Sequence, residues 1–149
     1  MDLPQLNLPY FDIKTKLVKG TTQVFDPVRK KYFKLTPEEW VRQHVINYLN
    51  HDKKYPLGLM GIEKTIKYNT LRNRPDIILY NIAGIPNMIV ECKAPSVNIT
   101  QNTFNQIARY NFKLKVKYLL VTNGIKHFCC AMDYDKNRID FLESVPSFF

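Results

Sequence analysis

The chain has 149 residues, a length that suits one ordinary domain and is short for two. Its 45% hydrophobic and 23% charged residues exclude a disordered chain and are typical of a soluble globular one. Lysine and arginine outnumber the acids 22 to 13, so the formal charge of +9 favours a polyanionic partner. No apolar run approaches the ~20 residues that span a bilayer, so we expect no membrane partner.

The amino terminus and the cysteines both bear on localisation. The first residues, MDLPQLNLPYFD, contain two prolines and lack the apolar stretch of a secretory signal. Cys92, Cys129 and Cys130 are odd in number and have the spacing of neither a zinc site nor a disulfide framework. We therefore expect a cytoplasmic protein.

Residues 1–35 are predicted to form an extended arm or hairpin that packs on the core. Prolines and a glycine divide this stretch into short runs. Within it, KTKLVKGTTQVF has two strand-like halves around Lys19-Gly20, so we expect a hairpin that turns at that pair. Residues 36–149 are expected to form the main part of a single domain.

A strong helix signal follows the arm. Thr36 is a suitable N-cap, Pro37 suits the first helical position, and Glu39 stands three residues after the cap. The helix is expected to end near residues 50–52. Its apolar face is predicted from helical spacing to contain Trp40, Val41, His44, Val45, Tyr48 and Leu49.

Strands and a second helix are predicted over the rest of the chain. Counting the first helix, the element order is helix, three strands, helix and two strands. This order predicts an α/β domain with one mixed sheet. Residues 81–87 join the second strand to the third, Asn123-Gly124 is a strong hairpin signal, and residues 138–142 offer an edge strand. The predicted strands cover about 59–67, 76–80, 88–93, 117–122 and 126–132, and the helix covers about 100–114.

Two acids and a lysine stand where the second and third strands meet. In MIVECK, strand alternation puts Glu91 and Lys93 on one face and Cys92 on the other. If the two strands pair antiparallel, Asp76 lies near Glu91 and Lys93. Acid oxygens hold hard divalent cations, and a lysine beside them stabilises charge on a phosphate. Charges that only mark strand ends are the alternative, but the convergence favours a site for phosphodiester cleavage.

Five phrases carry a resemblance to a known family. RPDIILY, IVECKAP and QIARYN resemble the PD-(D/E)xK nuclease superfamily. LTPEEWVRQ and VTNG narrow the resemblance to the amino-terminal nuclease domain of type I restriction enzyme R subunits, over about residues 24–132. The resemblance implies a restriction-endonuclease-like αβββαβ core, with a central mixed sheet flanked by helices, and makes residues 36–149 the nuclease-like part.

The resemblance also implies roles for the residues of the motif. Asp76 and Glu91 would be carboxylate ligands of Mg²⁺, with Mn²⁺ as an alternative ion. Lys93 would position the attacking water, or help to deprotonate it, and would stabilise charge on the scissile phosphate. The backbone carbonyl of Cys92 would complete the metal shell, while its side chain would lie in the core.

A glutamate on the first helix is a further candidate ligand. Glu39 matches the helix glutamate that often reaches the metal in this superfamily. Its spacing from Thr36 is equally that of a capping box, and the two interpretations stay open. Glu38 could take the place of Glu39 as the helix ligand if the helix is rotated so that Glu38 faces the acids.

A nucleic-acid-binding surface is predicted beside the acids. Gln106 and Tyr110 match the Q-x-x-x-Y motif of the RecB-like branch and share a helix face. A polar helix face without function is the alternative. Further candidates for contact with a phosphate or a base, by their position near these two residues or near Asp76, are Arg109, Lys113, Arg72 and Arg74.

A run of lysines in the arm is another candidate surface. Lys30, Lys31 and Lys34 are interleaved with Tyr32 and Phe33, a composition that can follow a nucleic-acid backbone. Charge runs of this kind are more often solvated faces of a strand or helix, so direct contact is the less favoured interpretation.

The resemblance and the triad together predict a Mg²⁺-dependent DNA endonuclease of the restriction type. Restriction R subunits also carry an ATP-driven motor and act with methyltransferase and specificity subunits. With 149 residues there is no room for that motor, so we expect separate motor, methyltransferase or specificity subunits as partners. Homo-oligomerisation is left open.

Two alternatives to a restriction nuclease remain. One is a non-catalytic nucleic-acid-binding or assembly module that retains the fold, against which the intact Asp76, Glu91 and Lys93 argue. The other is a repair or recombination nuclease that acts on branched or single-stranded substrates, which the Q-x-x-x-Y match permits.

Overall fold

A six-stranded mixed β-sheet packed between two helices forms the centre of the protein. The computed structural model describes residues 3–148, which contain helices α1 (Pro37–His51) and α2 (Gln101–Leu114). The strands in this part of the chain are β1 (Thr15–Val18), β2 (Thr21–Asp26), β3 (Lys31–Lys34), β4 (Met60–Ile62), β5 (Ile66–Tyr68), β6 (Leu71–Asn73), β7 (Ile77–Tyr80), β8 (Pro86–Cys92), β9 (Tyr118–Thr122), β10 (His127–Asp133) and β11 (Arg138–Leu142).

The central sheet has the strand order β11-β10-β9-β8-β7-β4. Strands β8 and β9 are parallel, and the other neighbouring pairs are antiparallel. Helix α2 connects the parallel pair, as a crossover between parallel strands requires. The order α1-β4-β7-β8-α2-β9 is the expected αβββαβ core, so the predicted fold class is confirmed. The predicted edge strand at 138–142 is also confirmed, as β11.

Each face of this sheet is covered by one helix. The apolar side chains of α1 pack on one face, in a cluster that includes Val90 and Cys92 of β8. The apolar side chains of α2 pack on the other, in a cluster that includes Ile89 of the same strand. Successive residues of β8 point to opposite faces, so alternate residues face α1 and α2. Burying each large aliphatic side chain contributes roughly 1.5–3 kcal/mol, which stabilises this arrangement.

Both helices begin at the residues that the sequence indicates. The Thr36 hydroxyl accepts a hydrogen bond from the Glu39 N–H at 3.0 Å, and Pro37 occupies the first turn of α1. The Thr100 hydroxyl caps α2 in the same way, and that helix ends where Lys115 takes a left-handed conformation with φ of 60°. Within the described residues, neither helix has the length and apolar character needed to cross a membrane.

The single strand predicted over 59–67 is wrong. A short 3₁₀ turn and β4 occupy its first half, and the chain then leaves the sheet at Glu63, which has a φ of 53°. Among the described strands, β5 and β6 pair only with each other, in a separate hairpin. A left-handed residue cannot continue an extended strand, and the apolar pattern gave no sign that one would occur there.

The hairpin predicted in the arm is confirmed, and it has a third strand that was not predicted. Lys19 and Gly20 both have positive φ, as the two central residues of a type I′ turn require. Strand β3 pairs with β2 to complete a three-stranded sheet. Before this sheet, Leu6 packs in the α1-side core, and the N–H of Asn7 donates to the carbonyl of Gly124 at 2.8 Å.

Candidate active site

Asp76 and Glu91 lie side by side at the ends of two neighbouring strands. The antiparallel register pairs Ile77 of β7 with Val90 of β8, and its next step sets Asp76 opposite Glu91. Burial, the charge of Asp76 and a hydrogen bond between the two carboxyl groups raise the pKa of Glu91 to about 8, while the charge of Lys93 acts in the opposite direction. The structure therefore brings together the two acids and the lysine that the sequence singled out.

Two donors fix the orientation of the Asp76 carboxylate. Its Oδ2 atom accepts a hydrogen bond from the backbone N–H of Cys92 at 2.7 Å. Its Oδ1 atom accepts one from Nη2 of Arg42 at 3.1 Å. Because one donor is on β8 and the other on α1, the carboxylate is held between the sheet and the helix.

Strand alternation sorts the side chains of the β8 end as predicted. Cys92 is 1% exposed and packs in the α1-side core, whereas Ile89 packs on the α2 side. Glu91 and Lys93 share the parity of Ile89 and lie beyond it at the strand end. The backbone N–H of Lys93 donates to the carbonyl of Thr122 at 2.8 Å, which continues the pairing of β8 with β9. The Cys92 carbonyl is therefore held at the same strand end as Glu91.

Glu38 is a helix acid whose charge interacts with this pair. Burial and the charge of Asp76 raise the pKa of Glu38, whereas the charges of Arg42 and Lys93 lower it. The Glu38 side chain is half exposed. It therefore lies within electrostatic reach of the predicted site and is partly open to solvent.

Glu39 lies in a different environment, close to the arm. Its Oε1 atom accepts hydrogen bonds from Arg29 at 3.0 Å and Arg42 at 3.2 Å, and its Oε2 atom accepts one from Gln43 at 3.1 Å. Its backbone N–H is the one capped by Thr36. Both carboxylate oxygens are thus engaged by buried or half-buried protein donors, and the role of Glu39 as a metal ligand stays a prediction.

Arg42 is a buried guanidinium surrounded by acids, and sequence reasoning missed it. It is 5% exposed and lies 3.2 Å from Glu39, 3.1 Å from Asp76, 3.1 Å from Glu63 and 3.8 Å from Glu38. Burial alone would lower its pKa, but the nearby acids, Glu39 first, raise it. Arg42 supplies the positive charge without which these acids would repel one another.

One local signal pointed to part of this arrangement. Glu38 and Arg42 are four apart on a helix, and Glu39 and Arg42 are three apart, which are the spacings of helical ion pairs. Nothing in the sequence pointed to the contact between Arg42 and Asp76, because the two residues are 34 apart in the chain and belong to different layers, the helix and the sheet.

Glu63 joins the site from the end of β4. Its N–H donates to the carbonyl of Asp76 at 3.1 Å, so the backbone places it beside the start of β7. Its carboxylate bridges Arg42 and Arg74, each at about 3 Å, and Nε of Arg74 donates to its carbonyl at 2.9 Å. Arg74 therefore lies near the acids as predicted, with its guanidinium bound to Glu63.

A cavity of about 210 Å³ opens on the α2 side of Glu91. Tyr110 lines this cavity, and its hydroxyl donates to the carbonyl of Arg72 at 2.5 Å, which ties α2 to the β5–β6 hairpin. The structure thus places Tyr110 in the same cavity as Glu91 and joins Arg72 to it through the Tyr110 hydroxyl. The residues that line the cavity are Asn73, Ile89, Glu91, Ile107, Tyr110, Asn111 and Leu119.

The other predicted contacts on α2 lie on its exposed surface. Gln106, Arg109 and Lys113 are exposed, and none of them is among the residues that line the cavity beside Glu91. Tyr110 alone of the Q-x-x-x-Y group and its basic neighbours reaches that cavity. The role of the other three in binding nucleic acid stays a prediction.

The donor set at this end of the sheet fits a magnesium ion. Mg²⁺ is usually bound through one or two carboxylates, with water completing its shell, and Asp76, Glu91 and the Cys92 carbonyl are hard oxygen donors of that kind. Among residues 3–148, no group of three or more His, Cys, Asp and Glu side chains is arranged to hold a metal ion. The fit therefore rests on the acid pair, where burial first and the charge of Asp76 second raise the pKa of Glu91, and a bound cation would favour the ionised form.

The sheet order and the position of the acid pair define a restriction-endonuclease-like α/β domain. A solved structure with this fold is the fragment structure of a putative HsdR subunit of a type I restriction enzyme from Vibrio vulnificus YJ016. It superposes with a TM-score of 0.54 at 21% identity, over 76% of this chain and 24% of that one. At this identity the similarity concerns the fold alone.

The chain belongs to the family described as the type I restriction enzyme R protein N terminus (HSDR_N), whose model matches residues 37–146. The matched span contains α1, the acid pair and the whole central sheet. None of the curated proteins matches the chain. The resemblance inferred from the sequence is thereby confirmed.

Glu91 predicts a pH-dependent stability in the metal-free protein. Because its pKa is raised from an ordinary 4.5 to about 8, the folded protein retains a proton between these values that the unfolded chain releases. We expect the free energy of unfolding to fall as the pH rises from about 5 to 8, by on the order of 2–4 kcal/mol from this group. Urea unfolding in EDTA at a series of pH values measures this change.

The control for this experiment is Glu91→Gln, which cannot titrate and keeps the shape of the side chain. Its stability is expected to fall less steeply over the same range and to exceed that of the unaltered protein above pH 7. Parallel curves for the two proteins between pH 5 and 8 would contradict the prediction.

Proposed function

We propose that this chain hydrolyses phosphodiester bonds of DNA as a Mg²⁺-dependent endonuclease domain of the type I restriction R kind, with Mn²⁺ as an alternative ion. The observation that supports this most directly is the contact between Asp76 and Glu91, with Lys93 beside them. Family membership supports the restriction context.

The residues of the chain divide the work of this reaction. Asp76, Glu91 and the Cys92 carbonyl would hold the ion, which supplies Lewis acidity and lowers the pKa of a water molecule when bound. Lys93 directs its ammonium to the attacking water and to the charge that develops on the phosphate. Arg42 and the Cys92 N–H keep Asp76 oriented, so Arg42 acts as a positioning residue.

Glu38 is our choice for the helix acid of the site, in place of Glu39. Its pKa responds to Asp76 and Lys93, and half of its side chain is exposed. Glu39 already accepts three hydrogen bonds from protein donors. A third acid beside the pair would orient water around the ion or bind it directly.

The substrate path is proposed to run along α2 and the β5–β6 hairpin. Tyr110 is in the cavity beside Glu91, and Arg72 is joined to it through its carbonyl. The basic groups near this path supply the charge that a phosphate backbone needs. The proposed contacts with DNA are Tyr110, Arg72, Arg74, Gln106, Arg109 and Lys113.

Sequence recognition and translocation would come from partners. A phosphate-binding path carries no base specificity by itself, so specificity, methyltransferase and motor subunits of the restriction kind are the proposed partners. A cytoplasmic location fits this role, and the buried free thiols of Cys92, Cys129 and Cys130 support it.

Substitution of the triad tests the nuclease proposal. We expect Asp76→Asn, Glu91→Gln and Lys93→Met each to lower the cleavage rate at least ~100-fold, because each removes a group that acts on the developing charge. The measurement is nicking of supercoiled plasmid with Mg²⁺ or Mn²⁺, by the purified protein alone and with cell lysate added.

Lys136→Met is the matched control, since Lys136 is exposed in the turn between β10 and β11. It is expected to cut like the unaltered protein. Folded triad variants that still cut at the control rate, or an unaltered protein that cuts neither DNA nor RNA under any of these conditions, would sink the proposal in favour of a non-catalytic module.

Glu38→Gln and Glu39→Gln separate the two helix acids. Glu38→Gln is expected to lower the cleavage rate at least ~10-fold with little effect on stability. Glu39→Gln is expected to lower the free energy of unfolding by about 1–3 kcal/mol, because Arg29 and Arg42 lose a buried anionic partner, and to lower cleavage by the folded protein less. A Glu39→Gln variant of normal stability that cuts more slowly than Glu38→Gln would reverse the assignment.

A further inference from the structure

The three-stranded sheet of the arm has one face that turns away from the core. The register places Lys16, Gln23 and Lys34 in one row across the three strands. A neighbouring row consists of Lys14, Phe25 and Tyr32. The Lys14 carbonyl accepts a hydrogen bond from the N–H of Phe25, and Phe25 is paired with Tyr32. The six residues of the two rows, called the outer face below, are Lys14, Lys16, Gln23, Phe25, Tyr32 and Lys34.

The opposite face of the same sheet is fixed to α1. Val24 and Asp26 point inward and are fully buried. Asp26 accepts a hydrogen bond from Gln43 at 3.0 Å, and Arg29, which follows β2, pairs with Glu39 at 3.0 Å. The arm is therefore attached to the part of α1 that carries Glu38 and Glu39, and its outer face has a fixed direction.

Aromatic rings hold two of the lysines against the outer face. The Lys16 ammonium lies 4.0 Å from the centre of the Tyr32 ring, and the Lys14 ammonium lies 5.8 Å from the centre of the Phe25 ring. The two rings pack edge to face, 5.2 Å apart. Such contacts restrict the lysine side chains and so lower the entropic cost of ordering them on a ligand.

The charge on this face is of one sign. It carries three lysines and no acid. Every ion pair within 4 Å among residues 3–148 has an arginine as its cation, so none of these three lysines is paired with an acid there. Adjacent strands are ~4.8 Å apart, so the backbones of Lys16 and Lys34, two strands apart in one row, are about 10 Å apart. Duplex DNA presents one negative charge per ~1.7 Å of its axis, so a surface of this width meets several phosphates.

We propose that the outer face binds the phosphate backbone of duplex DNA, as a contact separate from the acid pair and the α2 path. The inference deepens the proposed function and rests on it for the identity of the polyanion. Duplex is favoured over single-stranded DNA because both rings are half-buried and are contacted by a lysine and by each other, which leaves less ring surface on which a base can stack.

The test compares two triple charge reversals in the same sheet. Lys14→Glu, Lys16→Glu and Lys34→Glu together remove the outer-face charge. Lys19→Glu, Lys30→Glu and Lys31→Glu change the net charge equally, but at the two turns and at a β3 position that points to the other face. The readout is the Kd of the full chain for a fluorescein-labelled duplex in EDTA, at several salt concentrations, with circular dichroism to confirm folding.

The outer-face reversal is expected to weaken duplex binding at least ~10-fold and to reduce the slope of log K against log salt by about 2–3, while the control reversal has a much smaller effect. Equal losses in both variants would show a general charge effect and overturn the proposal, as would no loss in either. Preferential loss of binding to a single strand of the same sequence would overturn the assignment to duplex.

This test is independent of catalysis. It is made in EDTA, so it measures binding of the duplex and not its cleavage. If the triad variants showed that the chain is not a nuclease, a selective loss in the outer-face variant would still establish the surface. If the chain cuts DNA and the two reversals behave alike, the outer-face proposal is rejected while the nuclease proposal stands.

Discussion

The ion pairs of Arg42 are the constraint on which the site depends. One nearly buried guanidinium contacts Glu39 through Nη1 and Asp76 through Nη2, so it joins α1 to the start of β7, and Glu39 in turn pairs with Arg29 of the arm. Removing one partner of a buried pair costs about 3–5 kcal/mol, because the remaining charge stays buried without compensation. The planar guanidinium of arginine reaches the two acids from separate nitrogens in a fixed geometry, which the compact ammonium of a lysine does not provide.

Negative charge is nevertheless in excess on the strand side of the site. Glu91 stands beside Asp76 in a partly buried position, and Lys93 offsets only part of the repulsion, so the Glu91 carboxyl retains its proton up to a pH of about 8. An arrangement that costs stability in the absence of a cation is what a cation-binding site requires, since the ion recovers that cost when it binds. The same feature links the stability of the fold to the proposed chemistry.

Local sequence signals predicted the regular elements well and failed where the chain changes direction. Thr36 and Pro37 marked the start of α1 correctly, because capping depends on neighbouring residues only. The break at Glu63 was missed, since a positive φ in a non-glycine residue reflects its ion pairs and its bond to Asp76 rather than its own preference. Strand β3 was read as a charge run, because half of its residues are lysines.

What the sequence determined by itself was the order of elements and the face on which each residue of β8 lies, because both follow from local periodicity. Glu91 and Lys93 were separated from Cys92 in this way without any knowledge of the fold. Only the tertiary structure decided that Arg42 reaches Asp76, that the charge of Asp76 acts on Glu38, and that the arm presents a basic outer face. These contacts join residues far apart in the chain, so they depend on how the sheet, α1 and the arm pack together.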